Sequence, residues 1–206
     1  EAATRALSLP GLSGAQRGDM LLYLARLADD PARAEQGLAD ATEAYRRAGS
    51  LMGGGMCEHE LAQRAATRGD LEQALEHFRA SAWYLDRAAH NAVANARLGE
   101  GTTLVALGRS DEAEPVLRAV LARGRQVGHS ALVFAAELAL VTGAVRRGDV
   151  EGAAALLADV EAVELGRKLQ AEELAPLFLD SVERAEAAGA SSLADRLRAL
   201  RDRAQQ

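Results

Sequence analysis

The sequence predicts an all-α chain, a series of about five antiparallel helical hairpins forming an α-solenoid. Three observations lead there. First, 46 of the 206 residues are alanine, and Leu, Arg and Glu are abundant; all four favour helix. Second, β-branched residues are scattered, without the alternation that marks a half-buried strand. Third, the chain repeats itself. The segments Gly69-Asp70-Leu71-Glu72-Gln73-Ala74, Gly108-Arg109-Ser110-Asp111-Glu112-Ala113 and Gly148-Asp149-Val150-Glu151-Gly152-Ala153 begin 39 and 40 residues apart. A fainter copy, Asp29-Asp30-Pro31-Ala32-Arg33-Ala34, stands 40 residues before Gly69, and another, Gly189-Ala190-Ser191-Ser192-Leu193-Ala194, stands 41 after Gly148.

Each copy reads as the turn inside a hairpin. The leading Gly is the left-handed residue that ends one helix. The Asp or Ser after it caps the next. The Ala in sixth place is a small contact that lets two helices approach closely. The first helix, 13–28, opens on Ser13 with Gln16 in capping-box spacing. The second, 31–48, opens on Asp30 followed by Pro31, a favoured first helical residue. The third is read as 55–68, because Gly53-Gly54-Gly55 is poor helix material and predicts a loop or a weak start. In the fourth, 71–90, Asp70 and Gln73 form a second capping-box pattern, and Leu71, Ala74, Leu75, Phe78, Ala82 and Leu85 share one stripe. Leu98, Leu104 and Leu107 mark the fifth, 92–107. Ala113, Val116, Leu117, Val120 and Leu121 mark the sixth, 110–127, with Pro115 near its tolerated beginning. The seventh is 130–147. Val150, Ala153, Ala154, Leu157 and Val160 mark the eighth, 150–165. Pro176 predicts a kink or a later start in the ninth, 168–188, and the tenth is 191–204.

No linker interrupts this series, so residues 1–206 read as one domain. The chain begins with Glu1, not Met, and residues 1–9 read as the tail of a helix from an earlier repeat. Both features suggest a piece of a longer protein. With 49% hydrophobic residues the chain is too apolar for disorder. One cysteine excludes a disulfide framework and a cysteine-based zinc site. A net charge of −6 argues against a nucleic-acid surface. The longest apolar run, Ala131 to Val145, is broken by Glu137 and Gly143, short of the ~18 uncharged residues of a membrane span. No leader is visible, and with the lone Cys57 this predicts a cytoplasmic protein without cofactors.

Gly101-x-x-Leu104-x-x-Leu107-Gly108-x4-Ala113 and Gly69-x4-Ala74-x3-Phe78 resemble the tetratricopeptide repeat. The period of 39–41 residues is similar to the long variety in sensor arms of bacterial regulatory proteins. HEAT-type repeats, of period ~40–47, are the alternative; the Gly-x4-Ala turn favours the former. The resemblance implies a right-handed superhelix, first helices lining a concave groove and second helices outside, without catalytic apparatus. It places groove positions before each turn glycine: Tyr23 and Arg26; Met56, His59, Gln63, Ala66 and Thr67; Asn95, Leu98, Thr102, Val105 and Ala106; Ala135, Leu138, Thr142, Val145 and Arg146. Asn and Gln can bond a peptide backbone through both donor and acceptor. The plain alternative is that these are ordinary solvated or inter-helix polar groups. The family's Lys/Asn carboxylate clamp is absent, since Met56, Glu60, Asn95 and Gly99 hold its places.

Other motifs carry less. Cys57 and His59 do not share a helix face, so chelation would need a loop. His59-Glu60 opens like a metalloprotease helix, but Gln63 stands where the second His belongs. The three glycines lack the Lys-Ser/Thr of a phosphate loop. His77, His90 and His129 have no nucleophile beside them in sequence. Arg196, Arg198, Arg201 and Arg203 alternate with Asp195 and Asp202, as a solvated cap would. Trp83 and Tyr84 are adjacent: either one packs and the other is partly exposed, or they form an outer-face anchor. The reading is a non-enzymatic scaffold that binds a protein or peptide. The alternative is a ligand- or peptide-sensing module of a larger bacterial regulator, and self-association is a lesser one.

Overall fold

The computed structural model describes residues 11–162 and 171–204. Among them lie ten α-helices and no strand: α1 (Gly14–Arg26), α2 (Pro31–Arg47), α3 (Leu51–Arg68), α4 (Leu71–Arg87), α5 (Val93–Ala106), α6 (Ser110–Val127), α7 (Ser130–Arg146), α8 (Val150–Ala162), α9 (Ala171–Ala187) and α10 (Ser191–Ala204). The expected all-α class is what the structure has. Residues 1–9 and the expected helical stretches 163–165 and 168–170 fall outside the described residues. Pro176 lies in the second turn of α9.

The turns follow from local chemistry. Gly69, Gly108, Gly148 and Gly189 have φ of 84, 77, 76 and 72°. After each, the next N–H donates back to the carbonyl five residues earlier: Asp70 to Ala65, Arg109 to Leu104, Asp149 to Ala144 and Ala190 to Ala185. This is the Schellman closure. Gly49 and Gly128 close α2 and α6 in the same way. No atom lies within 4 Å of a Cβ added at Gly148. Gly148→Ala should therefore cost only its backbone strain, about 1 kcal/mol, read as a shift in the urea midpoint.

The starts are as local. Ser13 and Gln16 exchange both bonds of a capping box, at 3.2 and 2.9 Å. The Asp30 carboxylate accepts from the Arg33 N–H at 3.2 Å, and that of Asp149 from the Gly152 N–H at 2.8 Å. The second capping box is not formed. Asp70 makes no side-chain cap; Arg68 takes both partners instead, donating to Asp70 at 3.0 Å and to Gln73 at 3.4 Å.

The expected loop at Gly53–Gly55 is also absent. α3 begins at Leu51, the Ser50 hydroxyl accepts from the Gly53 N–H, and all three glycines are buried in helix. The reason is tertiary. The Tyr45 ring on α2 lies where a Cβ of Gly53 would be, and a Cβ at Gly18 on α1 would stand 2.7 Å from the same ring. A Cβ at Gly55 would stand 2.7 Å from Leu85, and the Ser81 hydroxyl donates to the Gly55 carbonyl at 2.8 Å. The glycines lower helix propensity and in exchange let side chains of α2 and α4 touch the α3 backbone.

By its contacts the chain falls into two compact units, Glu1–Ala96 and Arg97–Gln206. In the first, α1/α2 and α3/α4 pair as neighbours, α2 packs on α3, and α1 also touches α3. Leu22, Ala25, Leu38, Ala41, Tyr45 and Cys57 form a buried cluster in it. In the second, α7 packs on α6, α8 and α9, α9 on α10, and α8 touches α10. Phe134, Leu138, Leu157, Phe178, Leu197 and Leu200 anchor its core. The sixth-place alanines Ala34, Ala74, Ala113, Ala153 and Ala194 are all buried, as close helix contact requires. No described helix is long and apolar enough to cross a membrane.

Candidate functional site

In the first unit the predicted residues fall mostly on α1 and α3. Arg26 is the last residue of α1, and its Nε donates to Glu60 of α3 at 2.9 Å. Arg64, one turn beyond Glu60, lies 3.6 Å from the same carboxylate and donates to the Ala25 carbonyl at 3.1 Å. Two guanidinium groups thus tie α1 to α3, Arg26 through the Glu60 carboxylate and Arg64 through the Ala25 carbonyl. Beside them Tyr23 is 57% exposed. Gln63 and Thr67 are exposed on α3, the Thr67 hydroxyl donating to the Gln63 carbonyl at 2.9 Å. His59 is half-buried, edge-on to Phe78 with ring centroids 5.5 Å apart, and its Nδ1 has no partner. Burial lowers its pKa, against an opposing pull from Glu60. Asn95, at the start of α5, is exposed.

In the second unit the predicted residues do not form an open row. The Thr102 hydroxyl donates to Gly99 of its own helix at 3.1 Å. Thr142 is 1% exposed. Its hydroxyl donates to the Leu138 carbonyl and lies 2.8 Å from the Ser181 hydroxyl of α9. Thr142 is therefore a buried tie between α7 and α9 and presents nothing to a partner. Arg146, last in α7, makes a two-pronged pair with Asp180 of α9 at 2.7 and 2.9 Å and donates to the Ala106 carbonyl of α5 at 2.9 Å. Burial works against the Asp180 carboxylate, yet hydrogen bonds from Arg146 and Arg184 hold its pKa below the usual range.

Sequence reasoning missed Glu60, Arg64, Asp180 and Ser181. A signal existed: Arg26–Glu60 and Arg146–Asp180 both join a helix-ending arginine to a carboxylate 34 residues later. Thr142 and Ser181 are likewise 39 apart, one repeat.

On α4, Trp83 is 49% exposed and Tyr84 is half-buried along Gly54. Their rings meet edge-on with centroids 4.9 Å apart, and the Arg87 guanidinium lies 3.9 Å from the Trp83 centroid. One of the two alternatives for this pair, one ring packed and one partly exposed, describes the geometry.

Cys57 is enclosed in the α1–α2–α3 cluster, and burial pushes its thiol up to about 11. It faces Leu22 and Tyr45 while His59 faces Phe78, so the two do not converge. His77 pairs with Glu58 at 2.7 Å. His90 accepts from the Ala92 N–H at 3.2 Å, and His129 caps α7 by accepting from the Leu132 N–H at 3.1 Å. Arg196 pairs with Glu161, Arg198 with Asp195, and Arg201 with Asp202. Among the described residues, no three of His, Cys, Asp and Glu are placed to hold a metal ion.

No protein-family model matches the chain. No curated protein matches it either.

Proposed function

We propose that the chain is a tetratricopeptide-like α-solenoid that serves as a non-catalytic scaffold. In this reading a protein or peptide segment lies along the first helices of its hairpins. The observation that carries it is the open face of α1 and α3. Tyr23, Gln63 and Thr67 stand exposed beside the Arg26–Glu60–Arg64 network, on helices whose other faces are buried. An ordered ion-pair network fixes the helices, and the neighbouring phenol and amide remain available to a partner. The recurrence of the turn glycine and the buried sixth-place alanine supports the repeat reading. The right-handed superhelix and the cytoplasmic setting belong to this proposal too.

Capture from a lysate of the source organism tests it, with a Tyr23→Ala/Gln63→Ala/Asn95→Ala variant as control. All three positions are exposed, so helicity by circular dichroism should not change. The expected result is a partner retained by the parent chain and lost from the variant. Equal capture by both would remove the first-helix face from consideration. No partner for either would move the reading to the ligand-sensing alternative.

A further inference from the structure

Arginine in this chain is ordinarily paired with a carboxylate. Arg26 meets Glu60, Arg68 meets Glu35, Arg118 meets Glu114, Arg147 meets Glu114, and Arg184 meets Asp180. Arg87 departs from this habit. Its guanidinium stacks on Trp83 at 3.9 Å, and no carboxylate among the described residues pairs with it. The ring takes up one side of the guanidinium and accepts none of its N–H groups in-plane, and that planar fork of donors is the shape that matches a carboxylate.

Trp83 is a second departure. One repeat earlier, 40 residues back by the matching ends of α2 and α4, stands the half-buried Glu43, whereas Trp83 puts a large ring there and leaves half of it in water. Tyr84 and Leu85, the counterparts of the buried Ala44 and Tyr45, are the side chains that meet Gly54 and Gly55, so the inter-helix packing is carried beside Trp83. Its ring is nonetheless held in place, edge-on to Tyr84 and face-on to Arg87. Leu51 and Met52, both exposed, stand at the same end of the α3/α4 pair. Tyr84 lies along Gly54 and Leu85 along Gly55; Leu51 is one turn before Gly54, as Arg87 is about one turn beyond Tyr84. Trp and Arg are the residue types enriched at binding hot spots, and this end of the helix pair adds an exposed, adaptable Met52 and the apolar Leu51.

We propose that Trp83, Arg87, Leu51 and Met52 form a docking platform for an acidic, apolar protein segment, with an apolar side chain over Trp83 and a carboxylate on the N–H edge of Arg87. The occupant follows from charge. The platform offers one unpaired cation framed by apolar groups, which calls for one carboxylate beside one apolar side chain. A nucleic acid could stack a base on Trp83, but among the described residues Arg87 alone lies over the ring, one cation against a run of phosphates, and the chain carries −6 overall. The inference rests on the scaffold reading but uses a different surface from the first-helix face.

Trp83 is the only tryptophan, so its emission reports directly on the platform. Three ligands are titrated: a short synthetic peptide alternating Glu with Leu, its isostere with Gln for Glu, and oligothymidylate. The acidic peptide should shift the emission saturably. The Gln peptide should bind at least about tenfold more weakly, and Arg87→Gln should erase that difference. Arg87 is exposed on its helix, so the variant should keep parent helicity. No saturable shift, equal binding of the two peptides, or preference for oligothymidylate overturns the proposal. The Tyr23→Ala/Gln63→Ala/Asn95→Ala variant separates the two readings. If it loses the acidic peptide while Arg87→Gln keeps it, the first-helix face is the site and the platform is not.

Discussion

Replacing Gly53 by Ala should be the most damaging small substitution in the first unit. The added methyl would overlap the Tyr45 ring. That ring cannot swing away easily: it is buried, it also lies against Gly18, and its hydroxyl donates to Asp19 at 2.7 Å. Overpacking of this kind costs about 3 kcal/mol when the neighbour is pinned. Gly54→Ala is the internal control. Its methyl would meet Tyr84 at 3.6 Å, an ordinary contact, and alanine's better helix propensity should stabilise α3 by about 0.5–1 kcal/mol. Adjacent glycines should therefore give opposite signs in urea denaturation. A Tyr45→Leu background should recover part of the Gly53→Ala loss but alter Gly54→Ala little, since only the former shares the ring. Losses of similar size for both glycines would mean that helix geometry, and not Tyr45, sets the requirement.

Glu137 should give a large effect of the opposite sign. It is 2% exposed on α7, a helix buried almost all round. One oxygen accepts from Arg125 at 2.6 Å, and the other is buried without a partner. Burial raises its pKa; the hydrogen bond from Arg125 opposes this, and Asp159 adds to the rise. The folded chain thus holds this proton more tightly than the unfolded chain does. The carboxyl's contribution to stability is fully present below the ordinary glutamate range and is lost as pH rises through the raised value. At neutral pH the buried charge is a net cost. Glu137→Met, close in shape, should stabilise by about 1–3 kcal/mol at pH 7 and by less near pH 4, because Arg125 is 57% exposed and returns to water. Arg125→Ala should instead destabilise by about 3 kcal/mol at pH 7, since it strands the buried carboxylate. Thermal midpoints across this pH range check both, and a pH-independent gap between parent and Glu137→Met would refute the assignment.

The features legible in the sequence were those whose causes lie within a few residues. Gly148, Asp149 and Ala153 could be read because a Schellman turn, an N-cap and a close contact are each settled by side chains inside one turn. Gly53–Gly55 misled because the local signal is the propensity cost, while the compensating ring belongs to Tyr45 on the preceding helix. Gln63 and Thr142 occupy the same place before their turns. Gln63 is open, whereas Thr142 is closed over by Ser181, a partner 39 residues away that no local pattern announces. Arg26 and Arg146 look from sequence like hands for a ligand. Each has a carboxylate 34 residues ahead that already holds it.

The Schellman turn has an evolutionary consequence. Every bond that closes such a joint lies within six consecutive residues, and a Cβ added at Gly69, Gly108, Gly148 or Gly189 would meet nothing within 4 Å. A duplicated stretch of about forty residues would therefore carry a complete joint with it and require none to be rebuilt. Growth or loss of whole hairpins by unequal recombination is the cheapest route by which this chain could change length. The constraint on such an event would fall on interior pairs such as Thr142–Ser181 and Arg146–Asp180, which must find counterparts in a new neighbour.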